Sequence, residues 1–337
     1  MIVKKWKLMT KSFVVCIVFS VISMVGMAVF FIQRNQLEEP GELFTDAMIM
    51  EENGSFEKNG QTDNLGYICI PLPAEMTEEK IEIINDRSSH KIMVTMKNVP
   101  EDFFYHHSLS GSNQYITRQM YGYAQGVARL DFELSRFCEY EKRIESNHLY
   151  LKFLPPSEMY PYIVVLDAGH GGEDAGTVVY QVEEKSVALN TVLKTGEKLE
   201  SAGVRVYYTR ADDNMVDTEE RIRLADEVQA DLFVSIHCNA DSKTRVTKGI
   251  EILAKRPYEN LAGCMEEELE AMSATVRREF VDGIPILDGL EVPSVMVQTG
   301  YLTNKQEALR LTDEKYLDKM ADCIYNGIMQ VYEGAEK

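Results

Sequence analysis

Asp167-Ala168-Gly169-His170-Gly171-Gly172 follows the apolar run Ile163-Val164-Val165-Leu166, and Ser235-Ile236-His237 follows Leu232-Phe233-Val234. Short runs of apolar, mostly β-branched residues read as strands buried on both faces, as in parallel sheets. Each run presents a histidine at its last residue or in the turn just after it. In open α/β sheets, ligands bind beyond the carboxyl ends of the strands. Two imidazoles there, joined by a carboxylate, make the donor set of a catalytic zinc site with an open position.

Outward from these two runs the chain alternates. A strand at 163–167 precedes a helix near 185–202 that ends at Gly203, a strand at 204–209 and a helix near 217–229. Then come strands at 232–237 and 249–254, a helix near 258–279, a strand at 293–298 and a last helix near 313–333. This pattern predicts an α/β layer over residues 161–335, a mostly parallel sheet flanked by helices. Pro155, Pro156 and Pro161 punctuate its start.

Residues 65–156 read differently. Ile92, Val94 and Met96 share one face of a strand, and Ala128 to Leu134 alternates strictly, with Arg129, Asp131 and Glu133 on the wet side. Leu149 to Phe153 is a third strand. A small β-rich domain, an antiparallel sandwich or half-barrel, is expected. Tyr105, His106 and His107 fit an exposed strand edge, a loop or a glycan contact.

Ser12 to Ile32 contains no charged residue, long enough for a helix across the ~30 Å bilayer core. Lys4, Lys5, Lys7 and Lys11 precede it, so residues 1–34 read as a cytoplasmic tip and transmembrane anchor, with everything later outside the cell and facing the wall. A cleaved signal peptide fits less well, because the apolar run is long and no A-x-A site follows. Residues 35–64 are an acidic linker.

Among 337 residues, 54 Asp and Glu against 35 Lys and Arg give a net charge of −19, which excludes nucleic acid as a partner. The six cysteines form no C-x-x-C pair. Cys69 and Cys138 fall in one domain, where a disulfide and two isolated thiols are both open.

Seven blocks of residues carry a resemblance: Asp167 to Gly176, Glu184-Lys185, Tyr208-Thr209-Arg210, Glu220-Arg221, Ser235 to Ala240, Gly249 to Glu251, and Pro293 to Asn304. In kind and order they resemble the zinc-dependent N-acetylmuramoyl-L-alanine amidases of the amidase 3 type. The resemblance implies that His170, Glu184 and His237 bind one Zn²⁺. The substrate it implies is the amide between N-acetylmuramic acid and L-alanine in peptidoglycan. Asp167 is expected to orient His170 or its loop, and Asn239 to shape the site or simply to turn the chain. Arg210 and Arg221 fit a role at the sheet edge, against an anionic group, or in a surface salt bridge. Cys238 is expected to face away from His237 by strand alternation.

The family's general-base glutamate falls on Gln298, whose amide cannot accept the proton. General-base catalysis is typically worth ~10²–10⁴-fold. Two functions are therefore expected in competition: an amidase, or a catalytically impaired relative that binds peptidoglycan as a regulator or scaffold. Leu287-Asp288-Gly289 stands where the family usually has an arginine. Asp288, Glu173 and Glu251 read as surface or structural acids rather than replacement bases. By strand pattern and position alone, residues 65–156 resemble the AMIN-type domains that bind envelope polymers.

Overall fold

A computed structural model of the chain describes residues 66–272 and 275–335. The anchor and linker expected over residues 1–64 lie outside the described residues, among which no helix is long and apolar enough to cross a membrane. The described chain forms two compact units. The first holds residues up to Ser135 together with Lys142–Lys152; the second holds Arg136–Glu141 and the chain from Phe153 onward.

The β-rich part of the chain contains strands β1 (Tyr67–Pro71), β2 (Ile81–Asp86), β3 (Lys91–Lys97), β4 (Ser110–Gly111), β5 (Ile116–Ala124), β6 (Val127–Leu134), β7 (Glu139–Glu145) and β8 (His148–Leu154). They make two four-stranded sheets, ordered β4-β1-β8-β7 and β2-β3-β6-β5. The pairs β1–β8, β2–β3, β3–β6 and β5–β6 are antiparallel. Ile92, Val94 and Met96 are buried opposite Phe132, Leu130 and Ala128, as the alternation predicts. Tyr105, His106 and His107 belong to a short helical turn and its end rather than to a strand edge. The described cysteines are all thiols, so Cys69 and Cys138 are not joined.

The second unit contains β9 (Ile163–Ala168), β10 (Val178–Val179), β11 (Val182–Glu183), β12 (Arg205–Tyr208), β13 (Leu232–Asn239), β14 (Ile250–Ala254), β15 (Val276–Phe280) and β16 (Ser294–Tyr301). Its long helices are α1 (Glu184–Ser201), α2 (Thr218–Val228), α3 (Glu259–Glu270) and α4 (Glu314–Ala335). Six strands form one sheet in the order β12-β9-β13-β16-β14-β15. Side chains alternate between two apolar layers. Val164, Leu166, Val234, Ile236, Val295 and Val297 pack with α1, α3 and α4. Ile163, Val165, Phe233 and Met296 pack with α2 on the other face.

One expectation is refined and one needs correction. The sheet is mostly parallel, as expected, with one antiparallel join: β12, β9, β13 and β16 run parallel, but β14 is antiparallel to β16 and β15 follows the direction of β14. The helix expected to 279 stops at Glu270, and Val276–Phe280 becomes an edge strand. The segment has no glycine or proline to announce the break. What decides it is tertiary pairing, because all five residues find partners along β14. Local propensity is a weak prior against such pairing.

Phe233 is fully buried at the centre of the α2-side layer. Replacement by Ala is expected to cost about 3–5 kcal/mol, read as a lower urea midpoint for the second unit. An unchanged midpoint would contradict the packing described.

Candidate metal centre

His170 leaves the end of β9 in a loop with little regular backbone pairing. Its φ is +60°, unusual for a residue with a Cβ. The bend turns the ring back toward α1. Glu184 is the first residue of that helix, where the helix dipole favours a negative charge. His237 projects from near the end of β13. One donor atom from each of the three residues lies within 4.8 Å of the others, a group able to hold a metal ion.

The carboxylate sits between the rings. Glu184 Oε1 is 3.1 Å from His170 Nε2 and 3.0 Å from His237 Nδ1. These separations suit donors sharing a tetrahedral ion with bonds of about 2.0 Å. The amide of Cys238 also donates to Oε1, and the amide of Thr177 to Oε2, each at 3.0 Å. Burial alone pushes the Glu184 carboxyl upward, but the bonds from His170, His237 and the two amides win and hold it far below the usual carboxylate range. The bond to Glu184, reinforced by Asp174, raises His170. Asp174 Oδ2 lies 2.8 Å from His170 Nδ1, which directs Nε2 toward Glu184. Asp174 had no role assigned from sequence; its spacing four residues after His170 in a glycine-rich loop was the available signal.

Two glycines leave room for the rings. A Cβ on Gly169 would overlap the His237 imidazole. One on Gly176 would lie 2.7 Å from His170 Cδ2 and 2.9 Å from Glu184 Cβ. A cradle this close to both rings fits a group that must hold them converged.

Asp167 does not touch the His170 ring. It is 1% exposed and accepts from Arg221 Nη1 at 2.5 Å, Thr209 Oγ1 at 2.8 Å and Ser235 Oγ at 2.6 Å. Arg221 in turn donates to the carbonyls of Ala168 (2.6 Å) and His170 (2.8 Å). Arg210 donates to the carbonyls of Ala168 (2.9 Å), Gly169 (2.8 Å) and Lys185 (2.8 Å). Both arginines are buried, so neither forms a surface salt bridge; they hold the loop that carries His170.

The sheet sets the next contacts. His237 is the register partner of Gln298, Gln298 of Glu251, and Glu251 of Arg277. Register partners point to one face, so these four stand in a row. Glu251 Oε1 accepts from Arg277 Nη2 at 2.5 Å and from Tyr301 Oη at 2.6 Å, and its Oε2 accepts from Asn239 Nδ2. Both oxygens of this carboxylate are thus taken up by donors from the protein. Asn239 therefore belongs to a side-chain network rather than a plain turn. Asp288 accepts from the amide of Gly283 at 2.8 Å and pairs with Lys255, a structural acid as expected. Glu173 is exposed. Cys238 is buried among Val182, Val187 and Leu302, with Sγ 3.5 Å from Thr299 Oγ1. It faces away from His237, as strand alternation requires.

The fold and the three converging donors define an α/β protein with a candidate catalytic metal centre at the carboxyl ends of its parallel strands. Residues 164–330 match the family model described as N-acetylmuramoyl-L-alanine amidase, and the chain belongs to that family. It is 35% identical over 176 residues to the uncharacterized protein YqiI of Bacillus subtilis, covering 50% of this chain and 84% of that protein. It is 29% identical over 188 residues to the germination-specific N-acetylmuramoyl-L-alanine amidase of the same organism, covering 50% and 79%. Among solved structures, it is similar to the N-acetylmuramoyl-L-alanine amidase AmiC2 of Nostoc punctiforme, at 30% identity, with coverage of 51% and 97% and a TM-score of 0.49.

Removing Arg221 leaves Asp167 charged and buried without its main partner. Arg221→Ala is expected to lose about 3–5 kcal/mol in urea unfolding. Arg223→Ala, on the same helix but at an exposed position, is expected to stay within about 0.5 kcal/mol of the parent. Equal midpoints for the two variants would remove the case for the buried pair.

Proposed function

We propose that this chain is a zinc-dependent N-acetylmuramoyl-L-alanine amidase that acts on peptidoglycan from the outer face of the cytoplasmic membrane, anchored through residues 12–32. The observation that carries the reading is the convergence of His170, Glu184 and His237 on one point beyond the parallel strands. Two imidazoles and one carboxylate leave the open coordination position that a hydrolytic zinc needs. Zinc held by these three side chains would polarise the scissile carbonyl and acidify a water molecule.

The protein's own groups do the rest. Asp174 fixes the His170 tautomer. Arg210 and Arg221 hold the loop so that the ring cannot swing away. Gln298 stands beside His237 in the sheet row, where its amide can donate or accept a hydrogen bond but cannot take a proton. The clamped Glu251 offers no substitute. Turnover is therefore expected to be slow.

Gln298 also favours a second reading, a peptidoglycan-binding relative with little or no turnover that serves as a regulator or scaffold.

One assay separates the two. The full chain, solubilised and supplied with zinc, is incubated with peptidoglycan, and newly exposed L-alanine amino termini are measured beside a Gln298→Glu variant. The amidase reading expects a measurable parent rate and a variant faster by about 10²-fold or more. A silent parent that retains zinc and peptidoglycan, beside an active variant, supports the binding protein.

The metal assignment is checked separately. His237→Ala is expected to weaken zinc binding by at least about 100-fold in competition with a chromophoric chelator. Unchanged zinc affinity would place the metal elsewhere and remove the basis of both readings.

A further inference from the structure

Two segments flank the metal centre and meet at their tips. In the β10–β11 hairpin, Val178 pairs with Glu183 and Val179 with Val182, which leaves Tyr180 and Gln181 as a two-residue turn. Both turn residues have positive φ, +54° and +63°. That geometry is normally filled by Asn and Gly, so a bulky tyrosine here is held against its own preference. The second segment is the loop after β13. Asp241 pins it by accepting from the amides of Lys243 (2.8 Å) and Thr244 (3.2 Å), and Asn304 Nδ2 donates to the carbonyl of Thr247 at 3.2 Å. Arg245 stands on this pinned loop. Its Nη1 donates to Tyr180 Oη at 3.2 Å, and its guanidinium carbon lies 5.9 Å from the centre of the Tyr180 ring.

The contact closes a ring of chain around one side of the centre. Tyr180 lies four residues before Glu184, and the loop bearing Arg245 leaves directly from the strand of His237. Glu184 and His237 are themselves in contact. Val178 and Val246, chain neighbours of Tyr180 and Arg245, are exposed by 54% and 77%. Among the described residues, the bond to Tyr180 is the one side-chain hydrogen bond that Arg245 makes, and it has no carboxylate partner. A cation left without one, in a chain of net charge −19, is placed to receive an anion from outside.

We propose that Tyr180 and Arg245 form a subsite for a carboxylate on the peptide attached to the scissile amide. This rests on the reading of the centre as one that takes peptidoglycan. The muramoyl side of that amide is uncharged, whereas the peptide side carries free carboxylates, so a guanidinium selects the peptide. Arginine presents planar, paired N–H donors that match a carboxylate. Val178 and Val246 supply apolar contact for the peptide on either side.

The test titrates the zinc-supplied full chain with N-acetylmuramoyl-L-alanyl-D-glutamate and with the analogue in which both glutamate carboxyls are carboxamides. The parent is expected to bind the acid about 10-fold more tightly than the diamide. Arg245→Gln is expected to remove that preference, weakening the acid about 10-fold while leaving the diamide within about twofold. Arg245→Lys should retain part of the preference, since it keeps the charge but loses the fork. A merely structural role for the pair would weaken both ligands alike, and that result overturns the subsite. So does a parent that binds both ligands equally, with the amidase reading intact. A parent that binds neither ligand overturns both.

Discussion

The buried pair of Asp167 and Arg221 is the constraint on which the candidate metal centre depends. Two charges taken out of water are tolerated only when their remaining hydrogen-bonding capacity is filled. Here it is filled from several elements at once: Thr209 after β12, Ser235 on β13, and the carbonyls at the end of β9. The pair thereby ties three strands and α2 to one loop. That loop needs such help. Its positive-φ residues give it little regular pairing, and unsatisfied buried carbonyls are costly. Arg221 and Arg210 supply the missing donors, and Arg210 extends the grip to the first turn of α1, where Glu184 sits. The order runs from buried charge, to loop, to histidine.

The sheet provides a second, independent constraint. Register between neighbouring strands fixes which residues stand side by side, and a slip of one residue would turn each of them to the other face. It places an imidazole, an amide, a carboxylate and a guanidinium in sequence across β13, β16, β14 and β15. The acid of this row is tied to the base beside it, and Tyr301 and Asn239 complete the tie. Position 298 is thus flanked by a metal-ligand candidate on one side and a neutralised ion pair on the other.

Much of this was legible in the sequence, for reasons that differ by residue. The β9, β13 and β16 runs were readable because strands buried on both faces are apolar throughout. The two histidines followed from where those runs stop. The direction of β14 was not legible, because apolar content carries no information about parallel or antiparallel pairing. Nor was β15, a short edge strand with two arginines and a glutamate. For Arg210 and Arg221 a surface salt bridge was as open as a role at the sheet edge or against an anionic group, because burial is unusual for arginine; only the geometry shows carbonyls waiting for them. Asp174 and Arg245 lie in loops, where spacing alone says little about which side chains meet.

The row across the sheet also bears on how lightly this site can change. Strand register fixes the location of residue 298, and glutamine and glutamate are nearly the same size, so the step from amide to carboxylate alters charge more than shape. The neighbouring Glu251 already has its charge answered by Arg277, which limits the repulsion a second acid would meet. In the genetic code, the triplets for glutamine and glutamate differ only in their first base. Under the proposed function, a single nucleotide change in the codon for residue 298 would therefore exchange the amide for a carboxylate, with the rest of the scaffold left as it is.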